Sequence, residues 1–187
     1  GAEDTDGASD GDAGTDGADV ATSEGGPAEM DVPESEYCAG VSDWPEDARA
    51  FETEVVVRVN EARAQGATCG NESFAATGPL VMEARLRCAA RVHSLDMANR
   101  GFFDHVNPDG EDPFVRMERA GYSFQAAGEN IAAGQTTPQE VVDGWMQSPG
   151  HCSNIMSPSF TEIGVGYVLA PQGQLPHYWT QTFGAPL

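Results

Sequence analysis

The sequence predicts an α+β domain in which helices cover a small antiparallel sheet. Helix signals occupy residues 44–147, whereas two of the three candidate strands lie after residue 160. Because helices come first and strands mostly late, an alternating parallel α/β fold is disfavoured. The 187 residues also contain no apolar run near the ~18 residues that a membrane-spanning helix needs. We therefore expect one domain without a transmembrane segment.

Four segments carry helix signals, and their first turns are the clearest. Trp44-Pro45-Glu46-Asp47 places proline and two acids where a helix tolerates them. Asp112-Pro113 offers an N-cap followed by proline, and Thr137-Pro138-Gln139-Glu140 is a capping box that precedes Trp145. The helices are predicted at residues 44–66, 81–101, 112–121 and from 137 onward.

Three short segments are predicted as strands, at residues 123–127, 163–169 and 178–183. The second is rich in small and β-branched residues. In the third, Tyr178, Thr180 and Thr182 alternate with Trp179, Gln181 and Phe183. This alternation is typical of a strand with two different faces.

The N-terminal residues have a different composition from the rest of the chain. Residues 1–36 hold 12 acids, no basic residue and no aromatic ring. Such a segment cannot bury enough apolar surface to offset the entropy of ordering. We predict that residues 1–36 are a disordered acidic linker rich in Gly and Asp, and that the folded domain spans residues 37–187.

The charge of the chain excludes several functions. It has 30 acidic residues and nine basic ones, all of them Arg, for a net charge of −21. This acidity repels phosphate backbones, so we expect no nucleic-acid partner. The lack of lysine excludes Schiff-base chemistry and a phosphate-binding loop with its lysine.

The four cysteines are Cys38, Cys69, Cys88 and Cys152. None forms a Cys-x-x-Cys pair, which disfavours zinc ribbons and thioredoxin-like chemistry. Their wide spacing favours two disulfides, for which three pairings are possible; four buried thiols are the alternative. Disulfides next to a polar acidic segment are typical of an exported protein.

Two of the four histidines are functional candidates. His93 falls on the apolar stripe of the second helix and is expected to be a core residue, and His177 is expected to be solvated. His105 and His151 lie in segments rich in Gly and Pro, predicted to be irregular, where functional side chains concentrate. Glu129 lies between them in the sequence. Because its neighbours are apolar, we do not expect it on a solvent-exposed face. A serine nucleophile beside His151 is disfavoured, because such neighbours often occur by chance.

Several segments, taken in order, resemble the CAP superfamily of cysteine-rich secretory proteins, antigen 5 and pathogenesis-related class-one proteins. The similarity runs from about residue 49 to residue 183 and is strongest to the bacterial SCP-like extracellular members. It depends on the following motifs: Asn60-Glu61-Ala62-Arg63, Ala90-Arg91-Val92-His93-Ser94-Leu95-Asp96-Met97, Phe102-Phe103-Asp104-His105, Gly128-Glu129-Asn130-Ile131-Ala132, Gly150-His151-Cys152-Ser153-Asn154-Ile155-Met156, Ile163-Gly164-Val165-Gly166-Tyr167 and Trp179-Thr180-Gln181-Thr182-Phe183-Gly184.

The resemblance implies an α-β-α sandwich and a cleft that holds a divalent metal, often zinc. Carried over by motif, the metal ligands are His105, Glu129 and His151. Ser148 stands where animal members have a second Glu, and Glu162 is the substitute that we consider. The cleft is further expected to include Asn130, Trp145 and Ser148. The resemblance also suggests the disulfide Cys69–Cys152, which leaves Cys38–Cys88.

Three functions are compatible with this reading. The leading hypothesis is a secreted binding module for a lipid, a sterol or a cell-envelope component, monomeric and either free or tethered through its acidic stalk. The alternative is a protease-like extracellular hydrolase that depends on the metal or on histidine, with His151 and Glu129 as candidate catalytic residues. The third is a purely structural surface domain. Because the sequence offers no convincing nucleophile, a binding protein is favoured over an enzyme.

Overall fold

The computed structural model describes residues 31–173 and 175–187 of the chain. The α-helices are α1 (Glu46–Gln65), α2 (Ala84–Arg100), α3 (Pro113–Arg119), α4 (Pro138–Gln147) and α5 (Pro149–Met156). The strands are β1 (Ala67–Cys69), β2 (Glu72–Phe74), β3 (Val81–Met82), β4 (Phe124–Ala133), β5 (Glu162–Leu169) and β6 (His177–Pro186). No helix in this part of the chain is long and apolar enough to cross a membrane.

The main sheet has four strands in the order β3-β5-β6-β4. β6 pairs antiparallel with both β5 and β4, whereas the two-residue β3 pairs parallel with β5. A separate antiparallel hairpin is formed by β1 and β2. The predicted antiparallel sheet is thus confirmed for the three long strands, and β3 adds a short parallel edge.

Helices cover both faces of this sheet, which confirms the predicted α-β-α sandwich. On one face, the backbone of α2 lies directly against Gly164 and Gly166, and Thr182 donates a hydrogen bond to the carbonyl of Leu86. On the other face, Phe51 of α1 packs against the rings of Tyr167 and Trp179. α4 and α5 pack on this second face. Successive side chains of a strand point to opposite faces of the sheet, so the position of a residue in its strand determines which helices it contacts.

Three element boundaries differ from the prediction. Val81 and Met82 form β3, and α2 begins only after Glu83, whose carboxylate accepts a hydrogen bond from the backbone N–H of Leu86. β4 continues through Glu129 to Ala133 because β6 supplies pairing partners along its length. His151 was predicted in an irregular segment; it lies in the short helix α5, which begins with proline as its first residue.

The folded domain includes residues 31–36, which the prediction assigned to the linker. Val32 is buried, and the Asp31 carboxylate contacts Arg87 and Arg91 of α2. Apolar burial and ion pairs hold this segment on the domain, so the boundary at residue 37 was wrong. The prediction of disorder for residues 1–30 lies outside the described residues.

Both disulfides pair as the resemblance implied. Cys38 bonds to Cys88 and joins the segment before α1 to α2. Cys69 bonds to Cys152 and joins the β1–β2 hairpin to α5. The second disulfide fixes the helix that carries His151.

Candidate functional site

Glu129 occupies the centre of the candidate site. It lies on β4, an edge strand of the sheet, and its side chain is only 2% exposed. Because successive residues of a strand face opposite sides, the carboxylate points toward α2 and α3 while the next side chain, Asn130, points toward α5. The backbone carbonyl of Glu129 accepts a hydrogen bond from the amide of Asn154.

The side chains of Arg116 and His105 form hydrogen bonds with the Glu129 carboxylate. Nη2 of Arg116 lies 2.9 Å from Oε2 and 3.1 Å from Oε1. Nδ1 of His105 lies 2.9 Å from Oε1. Arg116 is itself buried, so a full positive charge faces the carboxylate out of contact with water. The carboxylate of Glu129 is thus held in place by a charge-assisted hydrogen-bonded pair.

His105 lies in the loop after α2, and its ring is 46% exposed. Its backbone carbonyl accepts a hydrogen bond of 2.9 Å from Arg116, so one arginine fixes both the loop and Glu129. The hydrogen bond with Glu129 raises the pKa of His105, against the opposing effect of partial burial. With Nδ1–H donated to Glu129, Nε2 of His105 is left without a partner in the described residues.

His93 is the buried neighbour of this pair, as predicted for a core histidine. Its Nε2–H donates to the carbonyl of Asp104 at 2.9 Å, and Nε2 lies 3.9 Å from Glu129 Oε1. Burial lowers the pKa of His93 to about 4, so the ring is neutral at pH 7. The contact with Asp104 positions the residue that precedes His105.

His151 approaches from the opposite layer of the sandwich. Burial lowers the pKa of His151, and the charge of His105 lowers it further. In the described part of the chain, the His151 ring makes no hydrogen bond to Glu129. Its backbone carbonyl accepts a hydrogen bond from Asn130 at 3.1 Å.

The residues predicted to line the cleft serve the framework instead. Asn130 is fully buried and binds Gln181 and Asn154 as well as the α5 backbone. The indole N–H of Trp145 donates to a β4 carbonyl, and Ser148 joins α4 to α5. Asn130 and Trp145 thus connect α5 and α4 to the sheet, and Ser148 connects the two helices to each other.

Two other sequence expectations need correction. Glu162 lies at the start of β5, where its carboxylate accepts a hydrogen bond of 2.5 Å from the hydroxyl of Tyr122 and is not part of the His105 site. His177, expected to be solvated, is half-buried: its Nδ1 lies 2.8 Å from the Tyr167 hydroxyl, and the two rings stack.

A second candidate site, which sequence reasoning missed, is a pocket of about 570 Å³. It lies between the start of α1 and the far end of the β5–β6 pair. Its lining is mostly apolar and consists of Trp44, Pro45, Asp47, Ala48, Phe51, Leu95, Thr136, Tyr167, Val168, Leu169 and His177. The clustered aromatic residues at positions 44 and 51 are its only sequence signal, because the remaining lining comes from four other segments.

The comparison with family models decides the identity of the fold. The model described as CAP, the cysteine-rich secretory protein family, matches residues 56–183, about two thirds of the chain. The chain belongs to the CAP family. This confirms the resemblance inferred from the motifs.

Two curated relatives of this CAP domain come from Bacillus subtilis. It is 43% identical over 140 residues to the uncharacterized protein YkwD, covering 74% of this chain and 49% of YkwD. It is 36% identical over 74 residues to the uncharacterized membrane protein YlbC, covering 40% of this chain and 21% of YlbC. The chain thus spans about half the length of YkwD and about a fifth of YlbC.

Solved structures share the fold of this CAP domain. An extracellular protein containing an SCP domain from Bacillus anthracis is 26% identical, with a TM-score of 0.57 over 75% of this chain and 43% of that chain. An outer surface protein of Borrelia burgdorferi is 18% identical, with a TM-score of 0.60 over 76% of this chain and 94% of that chain. The second similarity concerns the fold alone.

The metal site that the family resemblance implies does not fit the donors of this CAP domain. Both oxygens of Glu129 are already bound, Oε2 by Arg116 and Oε1 by Arg116 and His105. Within residues 31–173 and 175–187, no group of three or more His, Cys, Asp or Glu side chains is arranged to hold a metal ion. A cation at Glu129 would have to displace a buried arginine, which costs several kcal/mol.

Proposed function

We propose that this CAP domain is an extracellular binding module whose ligand is an amphiphilic molecule of the cell envelope, such as a lipid or a sterol. The observation that carries the proposal is the apolar pocket of about 570 Å³. Pockets of 300–1,000 Å³ lined by apolar and aromatic residues with a few polar groups are typical small-molecule sites. An apolar tail of about ten carbons fits this volume.

The pocket wall is suited to an apolar ligand because its aromatic rings form a packed group. The ring of Phe51 lies 5.2 Å from that of Tyr167 and stacks on Trp179 at 5.9 Å. Tyr167 and Trp179 are themselves 4.2 Å apart. Their mutual packing holds the wall in one shape, so little conformational entropy is lost when a ligand binds.

An extracellular location agrees with two features of the chain. Two disulfides hold the domain together, and disulfides persist in oxidising compartments. The similar protein of Bacillus anthracis is described as extracellular. In this proposal residues 1–30 act as an acidic spacer between the domain and the surface, and the domain works as a monomer.

The binding proposal is tested with decyl maltoside, an uncharged amphiphile, below its micellar concentration. Tryptophan fluorescence should report saturable binding of one molecule, since Trp44 lines the pocket. Ala48→Met fills part of the pocket and should raise Kd roughly tenfold, equivalent to about 1.4 kcal/mol of lost apolar contact. Ala50→Met, exposed on the same helix, is the matched control and should leave Kd unchanged.

Two outcomes would reject the binding proposal. One is the absence of saturable binding by the parent chain. The other is an equal effect of both Met substitutions, which would locate binding outside the pocket. Thermal melts of both variants check that the domain still folds, because a misfolded domain has no cooperative unfolding transition.

Hydrolysis at His105 is a second candidate, favoured by its hydrogen bond with Glu129. A carboxylate that holds Nδ1–H leaves Nε2 as an outward-facing base, the arrangement by which a histidine accepts a proton from water. This assigns the base to His105, whereas the sequence had suggested His151. Among the described residues, no hydroxyl or thiol group forms a hydrogen bond with Nε2 of His105, so no side-chain nucleophile is paired with this base.

Two measurements test this candidate. In an NMR titration, Glu129→Gln should lower the pKa of His105, since the hydrogen bond from Glu129 is what raises it. Turnover of a fluorogenic peptide or ester library should be lost in His105→Gln and kept in Glu118→Gln, a change at an exposed residue of α3. Hydrolysis that survives in His105→Gln would rule out this base.

A further inference from the structure

The pocket proposed above as the ligand site has a negatively charged mouth. Asp47 lines it and is exposed to solvent. Its one side-chain hydrogen bond in the described chain is accepted from the backbone N–H of Ala48 at 3.0 Å. Its charge is therefore not matched by an arginine. None of the described lining residues is an arginine, and the chain has no lysine.

A second carboxylate, that of Glu140, contacts the lining residue Thr136. Glu140 Oε2 accepts hydrogen bonds from the backbone N–H and the hydroxyl of Thr136, at 2.8 and 2.9 Å. These bonds lower the pKa of Glu140, with a smaller contribution from the nearby His177. Glu140 is thus held in its ionised form on the side of the pocket formed by Thr136.

The negative charge is combined with aromatic surface. Trp44, Phe51 and Tyr167 all line the pocket. Burial raises the pKa of Tyr167, and the charge of Asp47 raises it further, so Asp47 acts electrostatically on the ring wall. Aromatic faces next to a carboxylate form the combination that recognises organic cations, above all quaternary ammonium groups.

One cation already lies beneath this wall and needs to be considered. The Arg91 guanidinium sits 5.1 Å from the centroid of the Trp44 ring. Arg91 is paired at 2.7 Å with the buried Glu52, and Asp31 adds a second carboxylate at 3.3 Å. Arg49 and Arg87 share these two carboxylates, so the cluster behind Trp44 has three arginines for two acids. Asp47 forms no ion pair with this cluster, and its carboxylate is the charge at the mouth of the pocket.

We propose that the pocket selects amphiphiles with a cationic head, an alkylammonium or quaternary ammonium group, which lies between Asp47 and the aromatic wall while the apolar tail fills the pocket. The proposal depends on the ligand site proposed above and adds the charge of the ligand. An anionic head, such as a free carboxylate, would face Asp47 and meet no cationic side chain from the described lining. A neutral head would bind with intermediate affinity.

The test compares three amphiphiles with the same ten-carbon chain: decyltrimethylammonium, decyl maltoside and decyl sulfate. Calorimetry at low salt, below their micellar concentrations, should show the highest affinity for the cationic amphiphile, a lower one for the neutral amphiphile and the lowest for the anionic one. Kd should rise roughly fivefold from the first to the second and again from the second to the third, the range of an exposed ion pair with a cation–π contribution. Added salt should reduce the differences in Kd among the three amphiphiles, because it screens the charge of the exposed Asp47.

Variants of α1 separate a specific contact from the overall negative charge of the chain. Asp47→Asn should remove the preference for decyltrimethylammonium over decyl maltoside, measured as the ratio of the two Kd values. Glu46→Gln removes the same charge from the same first turn, but Glu46 does not line the pocket. It should therefore keep the preference. Both changes also weaken the helix-dipole interaction equally, so any loss of stability is matched.

The outcomes of the charge proposal and the binding proposal are distinguishable. If the three amphiphiles bind equally, or decyl sulfate binds best, the cationic preference is overturned while the binding module stands. An equal loss of preference in both charge variants would also overturn it, because the preference would then come from the net charge of the surface. If none of the three binds, the binding proposal itself fails.

Discussion

Nη2 of Arg116 lies within 2.9–3.1 Å of both carboxylate oxygens of Glu129, and both side chains are almost completely buried. The same Nη2 donates at 2.9 Å to the backbone carbonyl of His105. One guanidinium thus neutralises the acid of the candidate site and positions the loop that carries its histidine.

Replacement of Arg116 should be costly. Arg116→Met leaves the Glu129 carboxylate buried without its counter-ion, so we expect a loss of about 3–5 kcal/mol in the free energy of unfolding. Arg119→Met is the control on the same helix: Arg119 is 52% exposed, its ion pair is with Glu111, and the loss should be below about 1 kcal/mol. Urea denaturation measures both values, and equal losses would contradict a buried ion pair at Glu129.

Buried His93 should make the domain sensitive to acid. Burial lowers the pKa of its ring in the folded state to about 4, whereas a histidine in the unfolded chain has a pKa of about 6.5. As the pH falls below about 6.5 the unfolded state takes up the proton first, so stability is lost down to pH ~4 and is constant above pH ~7. The shift corresponds to roughly 3 kcal/mol.

The pH effect can be assigned by substitution. The partially exposed His105 has a raised pKa and therefore contributes stability below the unfolded pKa, which is lost as the pH rises through its folded pKa. This opposes the effect of His93, but solvent screening makes it smaller. His93→Gln should flatten the loss of stability between pH 6.5 and pH 4 in urea denaturation. An unchanged slope in this variant would show that another group is responsible.

Local signals predicted α1 to α4 but not α5, and they predicted the ends of the strands poorly. The caps at Asp112 and Thr137 act through neighbouring backbone groups, so the sequence contains the whole interaction. β3 exists only because Val81 pairs with Glu162, 81 positions later. β4 likewise extends beyond residue 127 because β6 pairs with it. Pairings between distant strands have no local signature.

The site was predicted in part. The family resemblance placed His105 and Glu129 in one cleft as metal ligands, whereas the structure has Nδ1 of His105 2.9 Å from Oε1 of Glu129 as a hydrogen bond. Arg116 was missed because an arginine on a short helix normally reads as a solvated residue. The total lack of lysine is a signal that could have been used, since arginine is the cation preferred in buried ion pairs.

Asp31 should stabilise the domain although it precedes the first disulfide. Its carboxylate contacts Arg49 at 2.5 Å and Arg87 at 3.0 Å, and its side chain is 23% exposed. We expect Asp31→Asn to lower the free energy of unfolding by roughly 1.5–3 kcal/mol, the range of hydrogen bonds to charged groups. Asp43→Asn, an exposed control, should change it by less than about 0.5 kcal/mol.

Truncation tests the same contacts independently. A chain that begins at Asp31 should be as stable as the full chain, whereas one that begins at Tyr37 should be less stable by at least the effect of Asp31→Asn. Val32, 2% exposed, adds apolar burial to this difference. Equal melting temperatures of the two truncated chains would show that residues 31–36 contribute nothing to the domain.

The glycines of β5 determine how closely α2 approaches the sheet. A Cβ on Gly166 would lie 2.4 Å from the backbone carbon of Ala90 and from the backbone nitrogen of Arg91. Backbone cannot move aside as a flexible side chain can, so Gly166→Ala should cost 3 kcal/mol or more, roughly the upper range for overpacking. Gly150→Ala in α5 is the matched control, because nothing lies within 4 Å of its Cβ, and it should stabilise the domain by about 0.5–1 kcal/mol.

These two substitutions also report on the candidate site. α2 carries His93, so a Cβ that lifts this helix from β5 moves the ring away from Glu129 and releases the Asp104 contact that positions His105. If Gly166→Ala folds at all, NMR titration should show the pKa of His93 rising from about 4 toward its usual value as water reaches the ring. Gly150→Ala should leave that pKa unchanged. A variant with lower stability but an unshifted His93 would mean that the strain is absorbed elsewhere, and that the close approach of α2 at Gly166 does not position this histidine.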